Sequence, residues 1–438
     1  VDHKTMEKIM SNQFDQLAKV RRLMQTALGV AGLFALTTSM RADEVSDWNE
    51  NTFTAVFTAR TSPIITTRVI AMVQSAVFDA VNGVFKRYTP VRVPPDAPSG
   101  ASARAAVIQA AHDILVRLYP AQQTTLDAQF AASLANLSDE DGNLGQSVVR
   151  GLAWGRHVAN EIWAWRSADG FTPAPPPYLG STEIGKWRPT PPGFLAGAAP
   201  QFAYMTPWAI ASPSQFRPAG PPALTSAQYA ADLNEVKLMG RVDSTARTAD
   251  QNLFPVFWNG NTPGFWNRTA LQVAERYDLS LLEKARVLAL MNNAMADAII
   301  CCWEAKYTYE FWRPVTAIPF ADVDGNDATS GDTAWTPLIV TPNHPEYPSG
   351  HSSASGASAA VLAAFFGDDT AFSVTSELTP GVTRYFTSFS AAVDEIRDAR
   401  VFGGIHFRSA CLDGQAMGRK VADYVLEHSL QRINGNGN

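Results

Sequence analysis

Three short stretches of this 438-residue sequence hold side chains whose types and spacing can do chemistry. "KYTYEFWRP" places Lys306 and Arg313 seven residues apart. On a continuous helix seven residues are nearly two turns, so both long cations would leave one face and converge on a point between them. "YPSGHSSASG" puts Pro348, Ser349, Gly350 and His351 at the expected start of a helix over 349–366. Proline suits a first helical turn, and the free N–H groups there carry partial positive charge that attracts anions. Ser349 adds a hydroxyl, Gly350 lets backbone come close to a ligand, and His351 adds a titratable ring. "ARVFGGIHFRSACLDG" sets Arg400 six residues before His406 across a Gly403-Gly404 bend.

Taken singly, each stretch also has an ordinary reading: a salt-bridged helix face, a routine helix cap, a polar helix terminus. Taken together, a lysine and two arginines supply the point-charge and forked donors that an oxyanion with three equatorial oxygens needs. Ser349 and the Gly350 amide complete the cradle, and two histidines can flank the central atom. The order Lys-x6-Arg-Pro, Pro-Ser-Gly-His, Arg-x5-His resembles the signature shared by vanadium-dependent haloperoxidases and the related acid phosphatases. "ADQNLFPVFWNGN" and "ARVLALMNNAMADAIICCWEAKYTYEFWRP" extend the resemblance, toward the fungal-type vanadium chloroperoxidases, over most of residues 245–425. The N-terminal half is similar in helical layout alone.

The resemblance implies that Lys306, Arg313 and Arg400 hold equatorial vanadate oxygens with help from Ser349 and Gly350. It implies that His406 binds vanadium axially and that His351 faces the opposite apical oxygen as acid–base. Asp250 falls where the family places a carboxylate paired with one of the arginines, and Trp303 matches a tryptophan lining the halide approach. Five residues before the serine, chloroperoxidases carry an aromatic whereas bromo- and iodoperoxidases share a histidine, here His344, which favours bromide or iodide. Two positions depart from the pattern. Ala399 stands for the usual serine and Ala410 for an aspartate four residues after the histidine, a carboxylate that would orient the ring. Asp413 lies too far along the helix, roughly 10 Å, to replace it directly.

The implied reaction is halide oxidation by hydrogen peroxide, with vanadate as cofactor and a small organic acceptor for the product. An acid phosphatase working through a phosphohistidine at His406 is the alternative, because phosphate and vanadate share charge and shape. A secreted oxyanion-binding protein without catalysis is a third reading.

The elements that must position these groups read as helices. Residues 66–85, 101–119, 124–137 and 143–165 carry apolar side chains at three-and-four spacing, as do Val107, Ala111, Ile114, Leu115 and Leu118. Residues 167–222 are dense in proline and aromatics, including Trp187, Phe194, Phe202, Tyr204, Trp208 and Phe216, and form an ordered connecting belt. Helical patterns resume at 226–240 and 244–258. A long helix follows over 281–312 from the capping box Ser280 to Glu283, and others come at about 391–402 and 406–430. The expected fold is all-α. Two packed bundles, 43–166 and 223–438, are joined by the belt.

Composition narrows the partners. A formal net charge of -6 without a basic stripe argues against nucleic acid. Cys301, Cys302 and Cys411 suggest core filler rather than disulfides or a metal site. Lys19, Arg21 and Arg22 before an apolar run ending near Ala42 read as an export signal over 1–42, which predicts a secreted or periplasmic protein. Beyond it no uncharged apolar run reaches the roughly 18 residues of a membrane span, so no membrane is expected for the mature form.

Overall fold

Helices in this chain begin where the sequence supplies a capping side chain. Ser62, Ser102, Ser226, Ser280 and Ser388 each accept a hydrogen bond from a backbone amide of the first turn, and Ser280 with Glu283 forms the expected capping box. The computed structural model describes residues 43–137 and 144–433, so the expected export signal lies outside the described residues. The helices of the N-terminal part are α1 (Glu44–Thr58), α2 (Pro63–Phe85), α3 (Ala103–Leu118), α4 (Gln123–Ala135) and α5 (Leu144–Ser167). After the belt come α6 (Ala227–Met239), α7 (Ala249–Phe257), α8 (Thr262–Arg276), α9 (Leu281–Tyr309), the one-turn α10 (Pro314–Ala317), α11 (Gly350–Phe366), α12 (Phe389–Phe402) and α13 (Arg408–His428). The all-α expectation holds, with one addition. A short antiparallel hairpin, β1 (Phe372–Thr375) and β2 (Thr383–Phe386), pairs Phe372 with Phe386, and Phe372 also stacks on Phe389 at the start of α12.

The long helix α9 is the axis of the molecule. It packs on α2 at one side and on α11 and α13 at the other, so the apolar residues of both halves merge into one continuous core. That packing explains why α2 and α9 are long and apolar enough to cross a membrane while lying almost wholly buried inside the protein. The belt runs over the same helix. Asp297 of α9 accepts three backbone amides, from Trp208 (2.6 Å), Ala209 (2.8 Å) and Ile210 (3.0 Å). Trp303 Nε1 and the Tyr307 hydroxyl, one turn apart on α9, both donate to the Ala198 carbonyl. Trp187 is fully buried and stacks on Tyr178. The belt is therefore ordered by hydrogen bonds from a helix that also carries the chemistry.

Candidate active site

Lys306 lies in the last turn of α9 and Arg313 beyond its end. The expected single helix through both does not form. Glu310 turns left-handed (φ 55°) and Arg313 becomes the cap of the separate turn α10, because Pro314 has no amide to continue the ladder. The chain reversal, rather than a shared helical face, brings Arg313 back toward Lys306. Ser349 is the N-cap of α11, which places Pro348 before the helix rather than in its first turn. The Ser349 amide is used on the Ala410 carbonyl (2.9 Å), and its hydroxyl accepts from Ser352 Oγ (3.1 Å), so its own proton stays free to be donated. Arg400 sits in the last turn of α12. Gly404, with φ +77°, then reverses the chain, and a side chain there would strike the Gly240 carbonyl. His406 follows just before α13.

The cations are fully buried: Lys306, Arg313 and Arg400 each expose 0% of their surface. Lys306 Nζ donates to the carbonyls of Pro345 and Glu346, both at 2.8 Å, which leaves one of its three protons unassigned. Arg313 donates to the carbonyls of His344 (2.9 Å) and Ile405 (2.7 Å) and reaches His406 Nε2 at 3.2 Å and His344 Nδ1 at 2.9 Å. Arg400 makes longer bonds, to the Trp258 carbonyl (3.3 Å) and Asn259 Oδ1 (3.2 Å), and its Nε is buried without a partner. Burial pulls Lys306 down to about 7, Arg313 to about 10 and Arg400 to about 9, and repulsion from Arg313 adds to the first and last. Burial and the neighbouring cations also hold His344, His351 and His406 well below the usual imidazole range, hence neutral at pH 7.

A side chain that the sequence reading did not single out, Glu346, contacts His406. Glu346 Oε1 lies 2.7 Å from His406 Nδ1 and accepts the Phe407 amide at 2.9 Å. Burial pushes Glu346 up to about 8, but Oε1, which takes the Phe407 amide, accepts in either protonation state and the Arg313 guanidinium only donates, so Nδ1 carries the ring proton and the Nε2 lone pair faces Arg313. The departure at Ala410 is thereby answered from another loop. Nothing in local spacing could show it, because Glu346 and His406 are 60 residues apart. Asp413 instead accepts from the Tyr347 hydroxyl, away from the ring. Asp250 also differs from expectation. It is in the exposed first turn of α7 and pairs with Arg384 of β2 (2.7 Å), which the hairpin brings to it, and not with a cradle arginine. Trp303 and His344 do meet, with ring centroids 4.9 Å apart, and Trp303 lies against Gly350 at the head of α11. The three cysteines are free and buried.

A family model described as the VCPO second helical-bundle domain matches residues 286–435, which contain Lys306, Arg313, Ser349, Arg400 and His406. The chain is 28% identical over 182 residues to the vanadium chloroperoxidase of Curvularia inaequalis, a match covering 34% of this chain and 29% of that enzyme's length. A solved bacterial vanadium-dependent iodoperoxidase superposes with a TM-score of 0.78 at 25% identity, covering 93% of this chain and all of that one. A bacterial vanadium-dependent chloroperoxidase in its holo form shares the fold at a TM-score of 0.65 and 20% identity, over 84% of this chain and 92% of its own. The fold is helical and similar to that of solved vanadium haloperoxidases. The chain resembles the vanadium haloperoxidases, and its C-terminal helices carry the sequence match.

The residues present fit the vanadate that the similar proteins imply. Lys306 and Arg313 act on the buried Glu346, which burial pushes up to about 8, and Arg400 Nε and His351 Nε2 are enclosed polar atoms with no partner. Buried polar groups left this way are costly unless a ligand meets them. Lys306, Arg313 and Arg400 are donors and not ligands for a bare cation, so the donor set suits an oxyanion.

Proposed function

We propose that the chain is a vanadate-dependent haloperoxidase that oxidises bromide or iodide with hydrogen peroxide. Halide gives up two electrons, the peroxide O–O bond accepts them, and one proton is consumed to release hypohalous acid and water. When bound, vanadate supplies the Lewis acid that binds peroxide and makes its oxygen electrophilic. Lys306, Arg313 and Arg400 would neutralise its charge in a site already arranged for it, with the Ser349 hydroxyl and the Gly350 amide as further donors. His406 would offer its Nε2 lone pair to the metal. His351 is neutral, the state able to take the proton of incoming peroxide, and its enclosed Nε2 is free to do so. Trp303 and His344 would form the wall met by halide. The preference for bromide or iodide is supported by His344 and by the iodoperoxidase likeness. The observation that carries the reading is that three buried cations, Lys306, Arg313 and Arg400, all act on one buried neutral histidine, His351, whose Nε2 has no partner.

The test is reconstitution of metal-free protein with orthovanadate, followed by halide oxidation with peroxide. Vanadate-dependent turnover of iodide or bromide is expected; its absence with every halide would sink the assignment. The acid phosphatase reading gains from the Glu346 contact, since a carboxylate on Nδ1 also readies Nε2 to attack phosphorus. Phosphomonoester turnover in the same preparation, compared with peroxidase turnover, separates the two.

A further inference from the structure

Glu346 is fully buried, yet its Oε2 has no partner, and among the described residues no Lys or Arg forms an ion pair with it. A structural ion pair therefore does not explain its burial. What its carboxylate does contact is His406 Nδ1 and the amide of Phe407, while its own carbonyl accepts Lys306 Nζ. One residue thus ties the ring to the lysine of the cradle, from a loop that adjoins the head of α11. We propose that Glu346 is the positioning residue for His406. It fixes the tautomer and ring plane so that the site prefers an oxyanion able to bond to Nε2 over one held by charge alone. The proposal rests on the reading that vanadate bonds to His406. Ring partners of this kind typically contribute about 10–100-fold to metal affinity.

Glu346→Leu removes the acceptor, and Glu346→Gln keeps a carbonyl oxygen able to accept from both His406 Nδ1 and Phe407. Calorimetry with orthovanadate and with sulfate, which forms no bond to imidazole, reads the difference. Glu346→Leu is expected to weaken vanadate about 10–100-fold and sulfate by less than about threefold, with Glu346→Gln between Glu346→Leu and wild type for vanadate. Equal weakening of both anions, or of neither, would overturn the proposal. If Glu346→Leu does not fold, nitrogen-15 NMR of His406 in wild type and Glu346→Gln decides it. Wild type must show a proton on Nδ1 and none on Nε2, and a mixed tautomer in wild type contradicts the proposal. If wild type binds vanadate no better than His406→Ala does, the bonded-histidine reading fails instead, and the tautomer result still stands by itself.

Discussion

Arg313 donates to two main-chain carbonyls on different loops, whereas Arg400 makes only long bonds and leaves Nε unpaired. The two should part company on mutation. Arg313→Ala strands the carbonyls of His344 and Ile405 and should cost about 3 kcal/mol of stability. Arg400→Ala removes a poorly compensated buried cation and should stay within about 1 kcal/mol of wild type in anion-free buffer. Both should abolish vanadate retention; urea unfolding beside vanadium content separates the effects. Lys306, pulled down to about 7, gives a pH signature. A bound dianion raises it, so the charged form is the one that binds. Sulfate affinity should be fullest below about pH 7 and fall as pH rises through it, by up to about tenfold per unit. Sulfate keeps its own charge over this range, and Lys306→Met should flatten the profile. A flat profile in wild type would contradict the account. The cradle side chains were legible because motif order carries them. Glu346 was not, since only tertiary folding puts it against His406, and Asp250 misled because the hairpin arginine Arg384 reaches it.

The elements explain the run of small residues that follows Ser349. Helices α11 and α13 lie with their backbones in contact. An added side-chain carbon at Gly418 would sit 2.1 Å from the Ser353 carbonyl oxygen, and one at Gly414 would sit 2.8 Å from that of Ser349. Gly414→Ala should therefore push the cap of α11 away, costing about 1–3 kcal/mol and weakening vanadate binding as well. Thermal unfolding with and without vanadate checks both, and a neutral substitution would show that the two helices can part freely. Periodicity placed most of the helices, but α1 (Glu44–Thr58) and α8 (Thr262–Arg276) were not expected. It failed at Arg313, where the pattern "EFWRP" reads on as helix while Pro314 and a left-handed Glu310 end it.

At the scale of the molecule, α9 ties the belt to the site. Asp297 holds three belt amides, and Trp303 and Tyr307 hold Ala198 two turns further on. Asp297→Ala strands those amides and should cost about 3 kcal/mol. It should also open residues 168–222 to protease first, as mass mapping of limited digests would show; unchanged cleavage would mean the belt is held elsewhere. The aromatic and proline content of the belt was readable as order, but its attachment to a carboxylate on α9 was not. The sequence likewise suggested two bundles, while the packing of α2 on α9 joins their cores.

The central claim is that His406 and four donors, Lys306, Arg313, Ser349 and Arg400, grip one oxyanion with the imidazole bonded to its metal. X-ray absorption at the vanadium edge of the loaded protein tests it most directly. The account predicts stoichiometric vanadium with a single nitrogen among oxygen neighbours, and loss of that nitrogen in His406→Ala. An all-oxygen environment that His406→Ala leaves unchanged would contradict it.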